Sequence, residues 1–162
     1  MNYLSKLKHL REAKQIVEDL KKKGKKIVFT NGCFDILHVG HVRYLNDAKK
    51  YGDFLIVGIN SDSSVRRIKG ENRPIIDEKA RAEVVAGLDS VDMVIIFSED
   101  TPYELIKTLE PDVLIKGGDW KEEEIVGADI VKRSGGKVLT VPYISGYSTT
   151  SIIEKIIRLY CK

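Results

Sequence analysis

The residues best suited to chemistry in this chain of 162 residues crowd into one stretch, Asn31-Gly32-Cys33-Phe34-Asp35-Ile36-Leu37-His38-Val39-Gly40-His41. Two of the three histidines fall here, three positions apart, with Gly40 between them. Imidazoles at that spacing, on or just before a first helical turn, project to one side. Glycines at 32 and 40 let backbone approach a ligand closely. Ile27, Val28 and Phe29 precede the stretch as an apolar run of buried-strand type, and Val42, Leu45 and Ala48 follow it at helical spacing. The order is strand, tight loop, helix start. Such a loop is a seat for phosphate, because unpaired N–H groups and the helix dipole both favour an anion. Cys33, Asp35, His38 and His41 are also metal-ligand types, but structural zinc recruits closely spaced pairs and the other cysteine, Cys161, is far away. No metal site made of these side chains is expected.

The elements that must hold this loop can be read along the chain. Leu4, Leu7, Leu10, Ala13, Val17 and Leu20 recur every three or four residues and predict an amphipathic N-terminal helix within 1–24, closed by Gly24. Its apolar stripe needs cover from the domain or from a second chain, so a homodimer stays open. Phe54 to Ile59, Met93 to Phe97, Val113 to Ile115 and Lys137 to Val141 read as further strands of the buried parallel kind. Between them come a helix to about Tyr51, one begun by Ser61 to Ser64, one capped by Asp77, and one opened by a capping box at Thr101 to Glu104. A helix from Glu122 to Ser134 and a last one capped at Ser148 to Ser151, with Ile152, Ile153, Ile156 and Ile157 on one face, complete the pattern. Gly70 to Pro74 is polar, bracketed by breakers, and expected to be mobile.

Alternation of strands with helices predicts one α/β domain over 1–162: a Rossmann-like, doubly wound, five-stranded parallel sheet with an N-terminal helix ahead of a catalytic core over 25–162. Ligands bind such sheets beyond the carboxyl ends of the strands. The unusual loops at Asn31 to His41, Ser61 to Pro74, Lys116 to Trp120 and Tyr143 to Thr150 should therefore face one crevice. The first loop lacks G-x-G-x-x-G, which argues against a dinucleotide cofactor.

Composition sets limits. Hydrophobic residues at 43% and charged ones at 31% fit an ordinary globular domain. No apolar run reaches membrane-span length and the N-terminus is too charged for a secretory signal, so a cytoplasmic location is expected. Two cysteines make no disulfide framework. A net charge of +3 is too small to argue for nucleic acid, and the basic run Lys21 to Lys26 sits where a helix ends and a strand begins.

The pattern G-x-F-D-x-x-H-x-G-H resembles the signature of the cytidylyltransferase-like nucleotidyltransferases. The likeness covers nearly the whole chain. Asn60 to Val65, Lys69-Gly70, Arg73-Pro74, Phe97 to Pro102, Lys116-Gly117-Gly118-Asp119-Trp120 and Gly146-Tyr147-Ser148-Thr149-Thr150 are similar to the adenylyltransferase family of ADP-heptose synthesis. In many members that unit follows a sugar kinase; here it is expected to stand alone. The resemblance implies transfer of AMP from ATP to D-glycero-D-manno-heptose 1-phosphate, with magnesium arriving on ATP, in the making of lipopolysaccharide or related surface glycans.

It also implies roles. His38 and His41 would hold the α- and β-phosphates, in a cradle formed by Asn31, Gly32, Cys33, Phe34 and Gly40. Lys69 and Arg73 would clamp the triphosphate or the sugar phosphate from the mobile loop, and Arg81 from the following helix. Ser148, Thr149 and Thr150 would meet phosphate at a helix N-terminus, and Lys116, Gly117, Asp119 and Trp120 would lie where the base is recognised, although Trp120 serves equally as core cover. Asp35 would orient a histidine or the metal-bound phosphates. Related glycerol-3-phosphate cytidylyltransferases carry an arginine where this chain has Tyr143, which weakens a CTP reading. Rival readings are transfer to another small phosphorylated alcohol or sugar, and a nucleotide-binding sensor without turnover; tRNA charging lacks both K-M-S-K-S and room for a tRNA-binding domain.

Overall fold

The computed structural model describes residues 2–162; Met1, at the edge of the expected first helix, lies outside the described residues. Five strands, β1 (Ile27–Gly32), β2 (Phe54–Asn60), β3 (Met93–Phe97), β4 (Val113–Gly117) and β5 (Lys137–Val141), form one sheet of order β3-β2-β1-β4-β5. Every pairing is parallel. The chain starts at the centre, winds outward through β2 and β3, and crosses to β4 and β5 on the other side, so the topological switch point lies between β1 and β4.

Alternation along each strand sends side chains to two cores. On one face Ile27, Phe29, Ile56 and Leu114 pack with Ala13 and Val17 of α1 (Leu10–Lys22), Leu105, Ile106 and Leu109 of α5 (Tyr103–Leu109), and Val131 of α6 (Ala128–Arg133). On the other, Val28, Leu55, Val57 and Ile115 pack with Leu45 and Ala48 of α2 (Val39–Lys49), and with Ala82 and Val85 of α4 (Glu78–Ala86). The stripe of α1 is thus covered by the domain itself. α3 (Asp62–Lys69) follows β2, capped by Ser61, and α7 (Thr149–Tyr160) ends the fold.

Three local expectations are corrected. The first helix does not run from Leu4: a 3₁₀ turn at Tyr3–Lys6 stops, Leu7 makes a parallel bridge to Val94 on the edge strand β3, and α1 begins at Leu10. The Glu122 to Ser134 helix is split into a 3₁₀ turn at Glu122–Glu124 and α6, because Gly127 takes φ 86°. Pro102 is the N-cap of α5 and makes no side-chain cap, so the helix opens at Tyr103. In α7 the expected apolar face exists but none of its residues is buried, and Ile156 and Ile157 are about half exposed.

Pairing between β1 and β4 covers only Val28 with Val113 and Phe29 with Leu114, although β1 continues to Gly32 and β4 to Gly117. Past those pairs the ladder between the central strands is not continued, at the switch point where sheets of this kind leave a crevice. Tyr44 of α2 bolts its base: the phenol lies 2.6 Å from Thr30 Oγ1 and donates to the Ile115 carbonyl at 3.3 Å.

Candidate active site

One lip of the crevice is the start of α2. His38 is the N-cap, its Nδ1 accepting from the Gly40 N–H at 3.1 Å, while His41 Nδ1 accepts from the His38 N–H at 3.3 Å. Because a backbone N–H donates to each Nδ1, the ring proton of both neutral imidazoles sits on Nε2, leaving two outward donors. The rings stack with centroids 3.8 Å apart, and Phe34 packs against His41 at 5.2 Å. Burial lowers the pKa of His38; burial, and then the neighbouring His38, lower that of His41 to about 4. Gly40 is needed for closeness: a Cβ there would lie 2.9 Å from His38 Cε1 and Nδ1. Phe34 sits at φ 48°, in the left-handed region that a bulky residue seldom adopts, so strain is concentrated in this loop. Asn31, at the end of β1, pairs in register with Gly58, and Gly32 lies under the Phe34 ring.

Asp35 sits beneath the loop. It is 2% exposed and accepts from the backbone N–H groups of Ile75 and Ile76, both at 2.9 Å, and from Arg73 Nε at 2.6 Å. Burial works to raise its pKa, but those donors outweigh it and hold the carboxylate below its usual value. Asp35 therefore anchors the segment after Gly70 instead of orienting a histidine, and the expected mobile loop is pinned within it at Arg73 and just beyond it at Ile75 and Ile76. Arg73 keeps both terminal nitrogens unspent among the described residues, its Nε alone being committed to Asp35.

Arg81 differs from what its charge suggested. It is 1% exposed and spends Nε on the Ile76 carbonyl, Nη1 on the Cys33 carbonyl and Nη2 on Asp62 Oδ1, at 2.8, 2.6 and 2.9 Å. It is an internal strut behind the histidine loop, with its donors spent inside the protein. Lys69 is exposed at the end of α3. Cys33 is half-buried; burial raises its thiol pKa, offset in part by Lys69, Arg81 and Arg73.

The other lip is the end of β4. Lys116 Nζ lies 5.6 Å over the Trp120 ring, and Trp120 Nε1 donates to the Gly117 carbonyl at 3.0 Å. Trp120 is 46% exposed, so it does not serve as core cover. Asp119 is exposed beside it. The Tyr143 ring rests on Gly117 and Gly118. Ser148 caps α7, its Oγ accepting from the Ser151 N–H, and Thr149 Oγ1 donates to the Ile36 carbonyl at 3.4 Å, which brings the α7 N-terminus against the histidine loop. Thr150 is exposed on the first turn of α7. Two helix N-termini and two imidazole donors thus meet at one place. Among the described residues no group of three or more His, Cys, Asp or Glu could hold a metal ion.

Sequence reading missed the Tyr44 bolt and the strut role of Arg81. Tyr44 was detectable in principle: it stands four residues before buried Ala48 in the apolar phase of α2, and a buried phenol must find a partner.

A parallel 3-2-1-4-5 sheet with a glycine-bearing loop and paired histidines at its switch point defines an α/β nucleotidyltransferase domain. The chain belongs to the cytidylyltransferase-like family, whose family model matches residues 29–155. It is 58% identical over 156 residues to the bifunctional protein HldE of Geobacter metallireducens, covering 96% of this chain and 32% of that protein. Likeness to the protein of the same name from Nitratiruptor is 56% over 149 residues. The chain thus spans about a third of the length of these curated relatives. Among solved structures, the lipopolysaccharide core biosynthesis protein of Thermoplasma volcanium is 32% identical with a TM-score of 0.60, covering 77% of this chain and all of that one. Pantoate-beta-alanine ligase from Francisella tularensis shares the fold, at 19% identity and a TM-score of 0.60 over 94% of this chain and 77% of that one. No helix among the described residues is long and apolar enough to cross a membrane.

Proposed function

We propose that the chain transfers AMP from ATP to D-glycero-D-manno-heptose 1-phosphate, giving ADP-heptose and pyrophosphate in the cytoplasm. The observation that carries this reading is the pair of Nε2–H donors of His38 and His41 on a helix N-terminus, facing a second helix N-terminus at Ser148 to Thr150. A phosphate oxygen of the sugar attacks the α-phosphorus of ATP as the bond to the pyrophosphate oxygen breaks, so no nucleophile of the protein is required. Catalysis then consists of alignment and of donors placed where charge develops on the departing pyrophosphate. Magnesium carried in on the triphosphate would neutralise phosphate charge while keeping mostly water and phosphate ligands. Likeness to HldE and to a lipopolysaccharide core biosynthesis protein supports a heptose acceptor. Tyr143, where related glycerol-3-phosphate cytidylyltransferases carry an arginine, supports ATP over CTP.

Pyrophosphate release tests the proposal, measured with ATP or CTP against a panel of sugar 1-phosphates. Turnover is expected with ATP and the heptose phosphate. Comparable kcat/KM with CTP, or with an unrelated acceptor, would overturn the assignment.

A further inference from the structure

We infer that Lys116 binds the phosphate of the attacking sugar phosphate, on the side of the α-phosphorus opposite the histidines, with Trp120 holding the ammonium in place. This inference rests on the transfer reaction proposed above.

Four cations were expected at the site, and the structure distinguishes them. Arg81 is consumed inside the protein and Arg73 has one nitrogen committed to Asp35. Lys69 is exposed. Lys116 is partly buried at the crevice, and among the described residues its Nζ has no carboxylate or hydrogen-bond acceptor; its one ordered contact is the face of Trp120. Holding a desolvated ammonium without an anion is unfavourable, and its pKa is lowered by burial, which the Cys33 thiol opposes and Lys69 reinforces. Such a group has its anion supplied from outside.

Strand parity tells which anion. Leu114 belongs to the core under α1, α5 and α6, whereas Ile115 belongs to the core under α2 and α4. Lys116, two residues beyond Leu114, emerges on the side of Leu114. The histidines begin α2, on the opposite side of the sheet. In-line displacement places the attacking and leaving oxygens on opposite sides of phosphorus. With pyrophosphate leaving toward the α2 N-terminus, the attacking phosphate enters from the side on which Lys116 stands, through the gap where β1 and β4 no longer pair. Trp120 lies within cation–π distance, and its bond to Gly117 fixes the ring. Lys116 thereby gains orientation without losing its charge to a carboxylate.

Trp120 is the sole tryptophan, so its fluorescence reports this lip alone. The test compares the wild type with Lys116→Met and Lys116→Arg in three measurements: Trp120 emission during titration with inorganic phosphate and with heptose 1-phosphate, ATP affinity by calorimetry, and KM for each substrate. In Lys116→Met the KM for the sugar phosphate should rise about 10- to 100-fold, the scale of one charge-assisted hydrogen bond. ATP affinity should change less than about threefold, the emission change on adding phosphate should disappear, and Lys116→Arg should recover part of the sugar-phosphate KM. A Lys116→Met enzyme that keeps its sugar-phosphate KM, or that loses ATP affinity more than sugar-phosphate affinity, would overturn the inference. If the wild type makes no nucleotide sugar, the proposed reaction fails, and the phosphate titration still decides on Lys116: a saturable emission change lost in Lys116→Met supports the anion site, and one retained removes it.

Discussion

His38 and His41 lie face to face, ring centroids 3.8 Å apart, each with Nδ1 turned onto a backbone N–H of the same helix turn. The capping arrangement that starts α2 also decides which nitrogen of each ring meets a ligand. In the proposed reaction these histidines would meet phosphate as neutral donors, not as cations.

A pH dependence follows. Since the pKa of His41 is about 4 and that of His38 is lowered, kcat/KM for ATP should not fall between about pH 6.5 and 8.5 through loss of a histidinium. A decline centred near pH 6.5 would show that charged imidazole is required. Stability has the opposite sensitivity. The unfolded chain binds protons at His41 near the ordinary value of 6.5 and the folded one near 4, so stability is full above 6.5 and is lost as pH falls toward 4. Melting temperatures across that window should drop more for the wild type than for His41→Asn.

Removal of either imidazole should lower kcat by roughly two to three orders of magnitude, the scale of one preorganised donor. ATP affinity should change far less, because the helix N-termini still hold the ground state. His38→Ala should also cost about 1 kcal/mol of stability through the lost cap. Full turnover by both variants in a pyrophosphate-release assay would remove the catalytic role.

Gly40→Ala tests closeness without touching either ring chemically. Its Cβ would press on the His38 ring and displace it, so kcat should fall about 10- to 100-fold, as expected for misplacement near 1 Å. Circular dichroism should show the fold intact. Undiminished kcat would mean that the loop yields.

Asp35 and Arg81 should separate as site and strut. Asp35→Ala strands two backbone N–H groups and frees Arg73, so the KM for a phosphorylated substrate should rise together with a loss of about 3–5 kcal/mol. Arg81→Lys cannot span three acceptors; it should lower the melting temperature by a comparable energy while ATP contacts stay in place. Denaturant titration beside steady-state kinetics checks both. A stable Arg81→Lys protein with poor ATP affinity would reverse the assignment.

The strands and the histidine loop were legible because their information is local: apolar runs bounded by glycine, and H-x-G-H on a helix start. Asp35, Arg73 and Arg81 were legible as residues but not as partners. Their pairings span 19 to 48 positions, and nothing near Arg81 in sequence signals that Cys33 and Asp62 will surround it. Polar composition at Gly70 to Pro74 suggested mobility for the same reason, since the carboxylate that pins the segment lies in another element. Leu7 shows the reverse case, a residue in helical phase captured by the open edge of β3.

α7 has twelve residues and none buried, so packing contributes little to its persistence, and a helix of that length is marginal by itself. Its first turn nevertheless forms half of the proposed phosphate seat. Ordering of the helix and occupancy of the seat are therefore linked equilibria: an anion held at Ser148 to Thr150 favours the wound state, and fraying of Ile156 to Tyr160 weakens the hold on the anion. Amide exchange along α7 should slow when nucleotide binds, so the end of the chain would register occupancy of the crevice.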